Sequence, residues 1–143
     1  MIESTTQSIH QTTPIDVMLV ESIESHRFQM AEFSHAVHLK LAYFYLATLT
    51  KKQAFLSMER TLRVFLEANG VDKNKFHLTL THAWLELVWQ CMQSCHPMPS
   101  ADAFVQQNPG LLNKDLLSFY YSQDLLFSQK ARKRFVQPDL NSF

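Results

Sequence analysis

Three histidines fall where helical periodicity turns them inward. His35 and His38 lie three residues apart, and His77 stands on a separate apolar stripe much further along the chain. Neutral imidazole is the commonest ligand for zinc, iron, nickel or copper, and three nitrogens with one open position make a catalytic metal centre. On this pattern His35, His38 and His77 are the expected ligands of a divalent transition metal such as zinc. Thr79, Thr81 and Trp84, close to His77 in sequence, are the expected ligand-contacting residues or supports that orient the imidazoles. A second reading needs no ligand: each buried imidazole donates to a carbonyl or hydroxyl, with Thr79 or Thr81 serving His77.

The other chemistry-bearing residues are placed differently. Glu86 is about 180° from His77 on a helical wheel, so it faces water, and Glu32 and Glu59 border their stripes. Without an inward acid, the paired Glu-x-x-His pattern of a di-iron carboxylate site is missing. His82 is off the inward face and expected in solvent, and His10 and His26 lie in or beside an N-terminal arm. Cys91 and Cys95, with His96, lack the C-x-x-C spacing of a zinc knuckle and fit core packing as reduced thiols.

Helices must position these groups. Phe28, Ala31, Leu39, Ala42, Leu46 and Leu49 keep one face through a helix over about 28–49, and His35 sits within that face. A second helix, about 51–69, carries Phe55, Met58, Leu62, Phe65 and Leu66, with Gly70 placed to end it. A third, about 74–95, carries Leu80, Trp84, Leu87, Val88 and Cys91 and stops before Pro97 and Pro99. Three short helices follow: one capped by Ser100 to about 107, one over about 113–121, and one capped by Ser128 to about 135. Residues 1–26 read as a flexible or loosely docked arm, with 15–25 either a short helix or an extended docked segment. Residues 27–143 read as one domain, all-α, an irregular bundle of three long and about three short helices.

Composition sets outer bounds. The chain has 143 residues, 46% of them hydrophobic, and only two glycines, too few for a protein of many hairpins. Thirteen basic residues balance thirteen acidic ones, so no overall field favours nucleic acid or anionic lipid. The cluster Lys130, Arg132, Lys133, Arg134 reads as a solvated helix face. No stretch reaches the length of a membrane span, and the start lacks a signal peptide's pattern, so a cytoplasmic location is expected. Phe33, Val37 and Phe44 form a second apolar strip opposite the histidine face, either buried inside the domain or shared with a partner subunit in a homodimer.

The segments Phe33-Ser34-His35-Ala36-Val37-His38-Leu39, Phe76-His77-Leu78-Thr79-Leu80-Thr81 and Pro138-Asp139-Leu140 occur together. In this combination the chain resembles a family of small uncharacterised bacterial helical proteins with F-x-H-x-x-H-L, [FY]-H-x-T-x-T and terminal P-D-L motifs. The resemblance spans about residues 28–140 and implies that His35, His38, His77, Thr79 and Thr81 share a site. It supplies no activity. Members of that family often carry Glu after the motif histidine, where this chain has Leu78, so no acid–base role carries over to that position. Two functions stay open: a protein binding a metal or small-molecule ligand at the histidines, with or without catalysis, and a non-catalytic interaction module with structural histidines.

Overall fold

Caps decide where each helix begins. In the computed structural model, which describes residues 9–143, Thr13 opens helix α1 (Pro14–Glu24) through a capping box with Asp16. Ser34 accepts from the Val37 amide and opens α2 (His35–Thr48), and Thr50 forms a capping box with Gln53 at the head of α3 (Lys51–Ala68). His77 opens α4 (Leu78–Ser94), Ser100 opens α5 (Ala101–Gln107), Ser122 opens α6 (Gln123–Leu126) and Ser128 opens α7 (Gln129–Lys133). Short 3-10 turns occupy Met30–Glu32, Lys73–Lys75, Pro109–Leu112 and Lys114–Phe119. Gly70 closes α3 at φ 75°, a left-handed conformation that glycine adopts without a Cβ penalty. Among the described residues there is no strand, and the all-α bundle of three long and several short helices stands.

The long helices differ in character. Helix α3 has one apolar stripe, with Ala54, Met58, Leu62 and Phe65 buried. Helix α2 is apolar all round: Leu39, Leu41, Ala42, Tyr43, Tyr45, Leu46 and Ala47 are all buried. Such a helix is stable only when enclosed on several sides, and α1, α3, α4 and α5 pack around it. Phe33 lies 5.3 Å from Phe65, so the start of α2 meets the end of α3. Lys51 reaches Glu86, and Arg63 reaches Phe76, so α3 also runs opposite to α4. Two reversals leave α2 and α4 parallel, with their N-terminal ends on one side of the bundle.

Several boundaries move from their sequence expectations. The first long helix starts at His35 and not near Phe28, because the Ser34 side chain takes an amide at that point, leaving one 3-10 turn before it. The third starts at Leu78 and not near Asn74, because Asp72 caps the Lys73–Lys75 turn and His77 then caps the helix. The expected helix over 113–121 is a 3-10 turn, Lys114–Phe119.

The N-terminal segment is corrected as far as it is described; residues 1–8 lie outside the described residues. Helix α1 buries Val20 and Ile23 in the same core as the long helices, and Tyr45 Oη donates to Glu24, tying α1 to α2. His10 is 4% exposed, and its ring bridges the Met92 carbonyl at 2.7 Å and the Met98 amide at 3.2 Å. This stretch is therefore part of the domain and not a loose arm, because its polar groups find backbone partners there. The strip of Phe33, Val37 and Phe44 is half-buried and packs on the core. No helix among the described residues is long and apolar enough to cross a membrane.

Asp16 is the polar hinge of this docking. Its Oδ2 accepts from the Thr13 amide at 3.0 Å and the Ala101 amide at 3.1 Å, joining the starts of α1 and α5. Asp16→Ala leaves both amides without an acceptor and is expected to lower unfolding free energy by about 1–3 kcal/mol in urea titrations. Asp16→Asn, which keeps one oxygen, should recover part of that loss.

Candidate functional site

The parallel course of α2 and α4 carries His35, His38 and His77 to one cleft of about 260 Å³. Phe33, Leu62, Leu66, Phe76, Leu80 and Trp84 supply apolar walls, and Thr81 and Lys75 supply polar ones. The sequence-expected trio thus lines one cleft. What each ring does there differs.

His77 is fully committed. Its Nδ1 accepts from the Leu80 amide at 3.1 Å, capping α4, and its Nε2 lies 2.6 Å from the Leu126 carbonyl. An amide needs a lone pair and a carbonyl needs a proton, so these two bonds define a neutral ring protonated on Nε2. Burial pushes its pKa below 6.5, opposed by the Leu126 bond and reinforced by the nearby Arg132 charge. His35 is half committed. Its Nε2 donates to the Leu111 carbonyl at 2.9 Å, and its ring stands edge-on to Trp84 at 4.5 Å between centroids. Burial lowers its pKa as well, against the effect of the Leu111 bond, with Lys114 adding to the lowering.

His38 is the exception. Its ring lies nearly parallel to that of His35, centroids 6.2 Å apart. Its Nδ1 is sealed from solvent and unpaired. Burial, with the neighbouring His35 second, pushes its pKa down to about 4, so the ring is neutral across the physiological range.

This geometry does not support the metal expectation for His35, His38 and His77. Among the described residues no three His, Cys, Asp or Glu side chains form a group able to hold a metal ion. The physical reason lies chiefly in His77: coordination would require it to give up either the α4 cap or the Leu126 carbonyl, leaving a buried polar group unpaired. Thr79 is also corrected. It is fully buried, donates to the Arg134 carbonyl at 2.9 Å and accepts from the Val136 amide at 3.2 Å, so it pins the C-terminal segment and does not line the cleft. Thr81 does line it, but its hydroxyl is spent on the His77 carbonyl at 3.0 Å. Trp84 lines it as expected.

Other expectations sort in the same way. His82 is not in open solvent. It packs edge-on to Phe55, and its Nε2 lies 3.5 Å from the Glu59 carboxylate; burial outweighs that carboxylate and lowers its pKa. Glu86 is partly exposed and pairs with Lys51 at 3.1 Å. Cys91 and Cys95 are free thiols packed against the core. Phe76 and Lys75, which sequence reasoning did not assign to the site, form part of its wall; the signal available was their position directly before His77. Comparison with protein-family models gives no match, and neither the curated proteins nor the solved structures give one.

Two tests follow from the imidazoles. Unfolded histidine titrates near 6.5, whereas native His38 resists protonation down to about 4. Between those values the unfolded chain binds more protons, so stability is full above about pH 6.5 and falls as the pH drops toward 4. Urea unfolding at pH 6.5, 5.5 and 4.5 should show this, and His38→Gln should flatten the slope by up to about 1.4 kcal/mol per pH unit. His77→Ala should cost about 1–3 kcal/mol at neutral pH, with His77→Asn, a good helix cap, recovering part of it in the same assay.

Proposed function

We propose that this protein binds a small, uncharged polar molecule in the histidine cleft, with His38 as its main recognition group. The observation that supports the reading is the unpartnered His38 ring. Buried polar groups in folded proteins are nearly always hydrogen-bonded, and one left unpaired beside a cleft invites a ligand to complete it. A neutral imidazole presents one N–H and one lone pair, so the complementary molecule carries a donor and an acceptor. The walls made by Trp84, Phe76 and Leu80 favour a flat apolar body on that molecule. The cleft is smaller than the roughly 300–1,000 Å³ usual for drug-sized ligands, which points to a compact metabolite.

The resemblance to small helical proteins with the same three motifs agrees with this reading, since it groups His35, His38 and His77 in one site. The divalent metal is not carried forward. Ring resonances of the histidines, followed by nitrogen-detected NMR during titration with benzamide and 2-pyridone, test the proposal. Binding should move the His38 signals most and quench Trp84 fluorescence, and His38→Leu should remove both effects while the helical circular dichroism is retained. Titrations that leave the His38 ring unmoved would sink it.

A further inference from the structure

A second, larger concavity adjoins the histidine cleft and has a different chemistry. It is a groove of about 800 Å³ between α3, the Lys73–Lys75 turn and α7. Arg63, Lys73, Lys75, Arg132 and Lys133 line it, and Asp72 is the one carboxylate among the lining residues. These cations come from three separate parts of a chain whose formal net charge is zero, so the fold, and not the composition, gathers them. The cluster near the C-terminus is therefore more than a solvated helix face: Arg132 and Lys133 turn toward the groove.

The cations are mostly unneutralised. Lys73, Lys75, Arg132 and Lys133 take part in none of the ion pairs among the described residues. Arg63 does have a partner, Glu59, at 3.3 Å along its own helix. Asp72 is occupied at one oxygen by the Asn74 amide at 2.9 Å, and Glu67 lies in an adjoining smaller pocket. The arginines are held in place. The Arg63 guanidinium sits over the Phe76 ring at 4.3 Å, and Arg132 donates one N–H to the Asn74 carbonyl at 3.4 Å. Each keeps further N–H donors for a ligand.

We propose that this groove binds the phosphate groups of a phosphorylated small molecule. Gathering like charges in a concave site is unfavourable unless an anion neutralises them, and such sites concentrate anionic ligands. Guanidinium forks and ammonium groups together are the usual donors to phosphate oxygens. The groove's volume is that of a small-molecule site. This argument stands on the groove alone and does not rest on the ligand of the histidine cleft. Lys75 and Phe76 line both, so a phosphorylated molecule held in the groove has a direct path toward His38 and Trp84.

The test uses the full chain and inorganic pyrophosphate in isothermal titration at about 0.15 M salt, where loose surface attraction is screened. One saturable site is expected. Lys75→Gln and Arg132→Gln should each weaken it about tenfold or more. Lys52→Gln, which removes an exposed cation of α3 outside the groove, should leave the affinity unchanged. Melting curves of all three variants confirm that they fold. Failure of pyrophosphate to saturate up to millimolar concentration would overturn the proposal, as would an equal loss in Lys52→Gln. Single-stranded RNA that binds more tightly with length and is not displaced by pyrophosphate would overturn it in favour of a nucleic-acid surface.

Discussion

Enclosure of α2 is the constraint on which the rest of the structure depends. A helix apolar on every side has no face to give to water, so the chain must wrap it. The short connections to α3, and from α3 to α4, each reverse direction, which sets α2 and α4 side by side and parallel. Helix α1 and α5 close the remaining sides, with Asp16 holding both of their first turns. The parallel pairing has a consequence for chemistry. It puts the first turn of α2 and the cap of α4 at one end of the bundle, and those are the places where the histidines stand.

Histidine performs one structural task repeatedly here. A neutral imidazole offers a proton on one side and a lone pair on the other, so it can join two backbone groups that belong to different elements. His77 joins the start of α4 to the end of α6, and His10 joins the residue pair Met92 and Met98 across the end of α4. His35 makes half of such a link, to the Pro109–Leu112 turn through Leu111. The short C-terminal helices and turns place Phe104, Leu111, Leu117, Tyr121, Leu126 and Val136 in the common core, and the His35 and His77 links add polar ties to the long helices. The two-sided His77 link requires the neutral ring, which burial favours by lowering the pKa, whereas the single His35 donation to Leu111 does not depend on it.

The sequence made the helices legible and the partners of the histidines illegible, for one physical reason. Periodicity and caps are local, so the stripe of α3, the Gly70 stop and the Ser100 and Ser128 caps could be read directly. The inward placement of His35, His38 and His77 could be read from the same periodicity. The partners of His35 and His77 are backbone carbonyls of Leu111 and Leu126, tens of residues away, and a carbonyl carries no identity in sequence. An inward histidine awaiting a metal and an inward histidine tied to a distant carbonyl therefore look alike. His10 shows the limit most clearly: in a polar, aperiodic stretch nothing local announces that its ring is buried. The groove cations were hidden for a related reason, since Arg63, Lys73 and Arg132 meet only after α3, the turn before α4 and α7 have packed.

Against this background His38 is informative because it breaks the pattern. The other two rings of the cleft are tied to backbone, fully at His77 and on one side at His35, whereas His38 is held neutral by burial with its Nδ1 unpaired. Leaving a buried polar nitrogen unpaired costs about 1–3 kcal/mol, and a leucine at the same helical position would pack without that cost. The cleft that the ring lines is also lined by Lys75 and Phe76, which border the groove of uncompensated cations. Two unfavourable features, an unpaired imidazole nitrogen and converging positive charge, thus meet at the same end of the bundle; the other unpaired buried nitrogens, His82 Nε2 and Trp89 Nε1, lie outside the cleft's lining. Each of the two features would be relieved by a ligand of its own chemistry: hydrogen bonds at the imidazole, and negative charge in the groove.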